Sequence, residues 1–371
     1  VTLCAEPRRS YKAETATACT TSSTPAATEI VEAHQTPAAD VFKHIQELGR
    51  GGFGIVFKVE ALVSRGLISK GSFYAVKQLS KEKYEHQKMV DYAFNERNIM
   101  KVAVHPCLIR LLAAYQVERP SPSWALVMEY AAAGTLQKKL ESFGSPGLPL
   151  EDCRRYACEM LLGLEYLHDM SVIFRDLKPD NVLLSELDHC KIADFGLAKV
   201  LYSSGATATQ CGTREFVAPE VGTGDYTQSV DIFSWGVTIF IIMSGGIRRK
   251  FPFGQNVIYQ PFETYGQLRE AIETLKIEQP RSNNAYWNDS FIALWLPPEA
   301  LDLVEKTTSE VPQLRGTATQ LRSHRFFDGV DFKEVLHSCE RDSGWDDGGL
   351  GPPMEGGGRL SGRSWDIWSD R

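Results

Sequence analysis

The run from Val230 to Met243, VDIFSWGVTIFIIM, constrains the fold of this chain more than any other stretch. It is too short for a membrane span, which takes about 20 apolar residues, and it carries Asp231 near its start. A helix that is apolar on every side is expected to be buried on every side. It therefore requires a lobe large enough to enclose it, and 371 residues allow two or three folding units.

Around that helix the composition is ordinary for a soluble globular protein, with 43% hydrophobic and 23% charged residues. A net charge of −7 gives no bulk basic field for nucleic acid or an anionic membrane, so binding partners have to be read from motifs. The eight cysteines, Cys4, Cys19, Cys107, Cys153, Cys158, Cys190, Cys211 and Cys339, form no C-x-x-C pair and no zinc-like cluster along the sequence. They read as reduced thiols, and a cytoplasmic location with access to the nucleus is expected. No charged-then-apolar leader opens the chain, and its start at Val1 reads as that of a fragment.

Residues 1–40 are rich in Ala, Thr and Ser without apolar period and are expected to be disordered. From 41 to 129 short β-branched and aromatic runs such as FGIVFKVEALV and SFYAVKQL alternate with glycines, the pattern of antiparallel strands, with one helical stretch around NERNIM. Residues 130–332 are mainly helical in pattern, and 333–371 are glycine-rich and expected to be a flexible tail.

Gly49-Arg50-Gly51-Gly52-Phe53-Gly54-Ile55-Val56 has the spacing G-x-G-x-x-G-x-V. Such a turn serves a dinucleotide when it joins strand to helix, and ATP phosphates when it joins two strands. The run IVFKVEALV after Gly54 is strand-like, which favours the hairpin and ATP. At Gly51 and Gly54 the missing side chains let backbone N–H groups approach phosphate oxygens.

Four further motifs occur in order: Tyr74-Ala75-Val76-Lys77 with Glu96 on the next helix, VIFRDLKPDN over 172–181, Ala193-Asp194-Phe195-Gly196, and Val217-Ala218-Pro219-Glu220. With these the sequence resembles the eukaryotic protein kinase family over roughly Val41 to Phe332. The resemblance implies an α+β, bilobal fold with a small antiparallel β-rich N-lobe carrying one main helix and a larger, mainly α-helical C-lobe. It implies phosphoryl transfer from ATP with Mg2+ as cofactor, a reaction governed by positioning and charge neutralisation. Lys77 would hold the α and β phosphates and Glu96 would orient Lys77. Asp176 would accept the substrate hydroxyl proton, with Lys178 near the transferring group. Asn181 and Asp194 are hard oxygen ligands suited to Mg2+. ATP would lie against Gly49, Gly51, Gly52, Phe53, Gly54, Val56, Ala75, Lys77, Met128, Glu129, Tyr130 and Leu183.

Lys178 in DLKPDN and Thr213 in CGTREF match the serine/threonine pattern, so the implied partners are proteins with Ser or Thr acceptors. FNERNIM, VMEY and HRFFDGVDF look AGC-like, the group that includes cyclic-nucleotide-dependent kinases, whereas VDIFSWGV is closer to the calmodulin-dependent group. Thr209 occupies the position of a phosphorylated activation-segment threonine, implying an upstream activating kinase, with Arg175 and Lys199 as cations for the phosphate. Tyr92 stands where a further basic residue is often found. Asp180 keeps an acidic position used to read basic substrates, but Thr135 and Ile241 replace two others. Glu220 is expected to pair with Arg315, and Asp231 to cap the backbone of the catalytic loop. Phe174 replaces the usual His or Tyr and is expected to pack on Phe195, in a stack with Met100 and Leu111. Trp365 and Trp368 resemble a motif that folds back on the small lobe. The rival expectation is a pseudokinase scaffold, which loss of Lys77, Asp176 or Asp194 would have favoured; all three are present.

Overall fold

The computed structural model describes residues 41–51, 54–81, 87–117, 122–143, 147–202, 205–245, 247–249, 258–260, 265–278 and 296–344. Segment 1–40, Gly52, Phe53 and the two tail tryptophans Trp365 and Trp368 lie outside the described residues.

The small lobe is a five-stranded sheet in the order β1-β2-β3-β5-β4, every neighbouring pair antiparallel. Its strands are β1 (Phe42–Gly51), β2 (Gly54–Ala61), β3 (Phe73–Ser80), β4 (Leu111–Val117) and β5 (Ser123–Glu129). Helix α1 (Gln87–Val102) comes between β3 and β4. Strand periodicity separates two faces. Tyr74 and Val76 join Phe42, Val59 and Val127 in an outer cluster, whereas Ala75 and Leu79 belong to the main core shared with the large lobe. Lys77 falls on that inner face, opposite Val56 on β2 and Leu126 on β5. A slip of one residue in either pairing would turn its ammonium to the outside.

The β1–β2 hairpin closes at the Gly51–Gly54 pair. Gly54 has φ +146°, and a Cβ there would meet the Gln78 carbonyl oxygen at 2.2 Å, so the protein's own β2–β3 contact demands glycine. Gly49 and Gly51 would meet nothing within 4 Å. Their missing side chains leave open space above the cleft.

The large lobe begins with β6 (Gly134–Thr135) and α2 (Leu136–Phe143), followed by α3 (Leu150–Asp169) and the short strands β7 (Val172–Ile173), β8 (Val182–Leu184), β9 (Cys190–Ile192) and β10 (Lys199–Val200). Helices α4 (Ser229–Ser244), α5 (Tyr265–Glu278), α6 (Pro298–Thr307), α7 (Ala318–Leu321) and α8 (Phe332–Asp342) complete it. In α4 every residue from Val230 to Ser244 is buried, as its all-round apolarity requires. Gly236 lets α6 approach it: a Cβ would meet Thr307 Oγ1 at 2.2 Å. No helix among the described residues is long and apolar enough to cross a membrane.

The expectation of a flexible tail from residue 333 is corrected over its first ten residues. Asp331 accepts hydrogen bonds from the Lys333 and Glu334 amides and caps α8, whose Phe332 and Cys339 are buried. Phe332, Val335, Leu336 and Cys339 form an i, i+3, i+4, i+7 stripe that packs on the large lobe. The glycines beyond Ser343 had masked this period.

Candidate active site

Strand β3 and helix α1 carry two opposite charges into the core between the lobes. Glu96 is the one charged member of the buried α1 stripe made by Ala93, Ile99 and Met100. An isolated carboxylate there would be expensive. Lys77 Nζ donates to Glu96 Oε1 at 2.6 Å and to Asp194 Oδ1 at 2.7 Å. Burial works against the Lys77 charge, but Glu96 and Asp194 more than offset it and hold the ammonium above its ordinary range. Burial also raises the Asp194 carboxyl, and Lys77 reverses this, so Asp194 stays below the usual carboxylate range. Lys77 and Glu96 are 8% and 3% exposed at the side chain and Asp194 is 42% exposed, which makes Asp194 the member a ligand can reach.

The second cluster forms around Asp176, in the loop after β7. Its Oδ1 accepts from the Thr213 amide at 3.0 Å and the Thr213 hydroxyl at 2.6 Å, and its Oδ2 accepts from Lys178 Nζ at 3.0 Å and Asn181 Nδ2 at 2.8 Å. Lys178 Nζ also donates to Thr213 Oγ1 at 2.5 Å. Asn181 spends its amide nitrogen twice on Asp176, on the backbone and the side chain, so its amide oxygen is the atom suited to a cation. Arg175 and Asp194 both adopt left-handed backbone, φ 74° and 67°, a conformation non-glycine residues rarely hold without support. Asp231, fully buried on α4, supports the first: its carboxylate accepts the Phe174 and Arg175 amides at 2.8 and 2.7 Å. Phe174 meets Phe195 edge to face, ring centroids 5.4 Å apart, and both share one core with Met100 and Leu111.

On the nucleotide side Ala75 stands opposite Met128, and Val56 is opposite Lys77 on the same face of the sheet. Leu183 is half-buried between the buried Val182 and Leu184, on the face of β8 opposite to theirs. The Glu129 side chain is occupied elsewhere: Oε1 accepts the Arg110 amide at 2.8 Å, and Oε2 pairs with Lys191 Nζ at 3.2 Å. The Tyr130 ring carries Lys58 Nζ at 4.4 Å.

In the segment from Asp194 to Glu220, the two cations expected near Thr209 have other first partners. Lys199 Nζ donates to Thr207 Oγ1 at 2.8 Å, and Thr207 Oγ1 lies 3.4 Å from Thr209 Oγ1. Arg175 donates to Leu197 O at 2.6 Å and to Tyr226 OH at 3.3 Å, and Tyr226 OH donates in turn to the Thr209 carbonyl. Arg175 thus reaches the Thr209 backbone through Tyr226. Glu220 and Arg315 form the expected bidentate pair, 2.5 and 2.8 Å.

Sequence reasoning missed Tyr226, Lys191 and a partly buried Glu159–His189 contact of 2.7 Å. A charged residue inside the short apolar strand CKI was the available signal for Lys191. Tyr226 carries no such signal.

A family model described as a protein kinase domain matches residues 42–327. The chain is 31% identical over 303 residues to the cAMP-dependent protein kinase type 3 of Saccharomyces cerevisiae, covering 80% of this chain and 66% of that protein. It is 32% identical over 310 residues to the RAC-beta serine/threonine-protein kinase A of Xenopus laevis, 81% of this chain and 56% of the relative. Against protein kinase C of Drosophila melanogaster it is 31% identical over 303 residues, 79% of this chain and 36% of the relative. The match thus takes in less than two thirds of each of these three relatives. All three agree with the AGC-like grouping.

Proposed function

The chain belongs to the protein kinase family, and on that premise we propose that it is an AGC-like serine/threonine kinase that transfers the γ-phosphoryl group of ATP to Ser and Thr hydroxyls of protein substrates. The observation that carries this reading is the Asp176 cluster. One carboxylate is held by Thr213 and Lys178 from two separate segments, which sets a base beside a cation.

In the proposed step the substrate oxygen forms a bond to the γ phosphorus as the bond from phosphorus to the β-phosphate oxygen breaks, releasing ADP. Asp176 takes the hydroxyl proton, and Lys178 faces the charge on the transferring group. Lys77, oriented by Glu96, holds the α and β phosphates. The open space at Gly49 and Gly51 fits a cradle of backbone N–H groups for phosphate oxygens. The donor set also suits a hard divalent cation: the exposed Asp194 carboxylate and the Asn181 amide oxygen would hold Mg2+. When bound, that ion neutralises phosphate charge.

Thr209 is the proposed site of an upstream activating kinase. A phosphate there adds about −1.5 to −2 charges, and Lys199 donates to Thr207 Oγ1, which lies 3.4 Å from Thr209 Oγ1. A cytoplasmic location with access to the nucleus is part of the same proposal, on the reading of the cysteines as reduced thiols.

Transfer of labelled phosphate from ATP to generic protein substrates tests the main reading, with Asp194→Asn as control. Absence of transfer by the wild type, after mass spectrometry has shown Thr209 phosphorylated, would overturn it. Unchanged activity in Thr209→Ala would remove the activation-site reading alone.

A further inference from the structure

Away from the cleft, three side chains with metal-ligand chemistry converge from distant parts of the chain. A Glu159 carboxylate oxygen on α3, His189 Nδ1 just before β9 and Cys339 Sγ on α8 all lie within 4.8 Å of one another. Glu159 and Cys339 are buried, and His189 is nearly so. None of the three takes part in the proposed phosphoryl transfer.

We propose that Glu159, His189 and Cys339 form a binding site for a single Zn2+ ion as its three protein ligands. The ligand types decide the class of ion, since thiolate and imidazole select zinc over Mg2+ or Ca2+. The spacing agrees. Sulfur and nitrogen ligands at ordinary zinc distances in a tetrahedron stand about 3.5 Å apart, and Cys339 Sγ lies 3.6 Å from His189 Nδ1. Glu159 Oε1 is 2.7 Å from the same nitrogen, a hydrogen bond that opens to about 3.3 Å when both atoms turn to one ion.

The supporting contacts also fit a ligating histidine. His189 Nε2 lies 3.0 Å from Ser338 Oγ, which fixes the ring and leaves Nδ1 to the site. The other Glu159 oxygen accepts the Cys190 amide at 2.7 Å, so the carboxylate is held in place. Arg155, 3.5 Å from Glu159, opposes a cation, but Asp188 already pairs with it at 2.8 Å. Zinc binding releases the Cys339 thiol proton and leaves a thiolate on the ion. The ion would bolt α8 to α3 and β9. At the end of α8, Ser343 accepts from Lys191, which pairs with Glu129 beside the nucleotide cleft.

The test uses the full chain without a histidine tag, grown with added zinc and purified without chelator. Elemental analysis is expected to give roughly one zinc per chain in the wild type, and at least about five-fold less in Cys339→Ser and in His189→Gln. Cobalt substitution should add a thiolate-to-metal charge-transfer band that Cys339→Ser lacks. Circular dichroism of the metal-free proteins establishes that each variant folds. If Cys339→Ser does not, Ser338→Ala decides, since it leaves every ligand in place and should weaken Zn2+ on the order of ten-fold in competition with a chromophoric chelator. Zinc content unchanged in the folded Cys339 and His189 variants, Ser338→Ala binding like wild type, or a wild type with neither zinc nor the cobalt band would overturn the site.

Discussion

Lys77 and Arg315 are both buried cations that meet carboxylates, and they are held in opposite ways. Arg315 is fully buried, and four hydrogen bonds hold its fork, to both Glu220 oxygens and to the Ser229 and Ser309 carbonyls, with the Phe233 ring 5.0 Å away. Lys77 has a single nitrogen shared between Glu96 from the small lobe and Asp194 from the large one, and Asp194 opens to the cleft. A planar guanidinium fits fixed partners, whereas an ammonium is a point charge that can trade them. The first arrangement is a brace inside one lobe. The second suits a site where a phosphate-bearing ligand must enter and share the charge.

The comparison breaks first, if at all, at Arg315. Arg315→Leu leaves Glu220 without its partner and is expected to cost about 3–5 kcal/mol of stability, read as a lower urea midpoint with unchanged slope. Lys77→Met should lower phosphoryl transfer on the order of 10²–10³-fold. Its stability cost should be smaller than that of Arg315→Leu, because burial already raises the Glu96 pKa and Glu96 can take up a proton. The double variant Lys77→Met/Glu96→Gln should lie within about 1 kcal/mol of wild type in stability while remaining inactive. Equal destabilisation by Lys77→Met and Arg315→Leu would show that the two pairs are the same kind of brace.

The same contrast explains what could be read in advance. Lys77, Asp176, Asn181 and Asp194 each sit in a short motif, and the structure pairs Lys77 with Asp194 and Asn181 with Asp176. The inward turn of Lys77 was not legible in YAVK, whose four residues are all buried, and follows from the pairing of β3 with β2 and β5. The Glu159–His189–Cys339 cluster was not legible, since His189 and Cys339 are 150 residues apart and are joined only by the packing of α8. Helix α8 itself was hidden because composition weighs the glycines after Ser343 more than the four-residue stripe before them. Arg175 was read as a phosphate ligand because sequence gives its charge, but not its bonds to Leu197 and Tyr226.

A smaller effect tests the aromatic support under the catalytic loop. Phe174 has no exposed surface and meets Phe195 nearly at right angles. Phe174→Leu keeps most of the volume but loses the edge-to-face contact, and should cost about 0.5–1.5 kcal/mol of stability, with a matching fall in activity. Phe174→Tyr keeps the ring and should stay active. An inactive but folded Phe174→Tyr would mean that more than packing is at work beneath Asp176.

The smallest expected effect concerns His324, in the large lobe. Its Nδ1 accepts the Phe326 amide at 3.2 Å, capping the turn Arg325–Phe327, and its Nε2 lies 3.2 Å from Asp302. Burial lowers its pKa below 6.5, the charges of Lys306 and Arg325 add to this, and Asp302 opposes it. The unfolded chain therefore takes up the proton first. The stability that neutral His324 contributes is complete above its unfolded pKa of 6.5, and it is lost as pH falls from there toward the lower folded value. The loss amounts to at most about 1.4 kcal/mol per pH unit. His324→Asn keeps a capping oxygen that does not titrate, so urea midpoints of this variant should decline less than wild type below about pH 6.5. Parallel declines in the two proteins would mean that the acid sensitivity lies in other groups and that the cap makes no pH-dependent contribution.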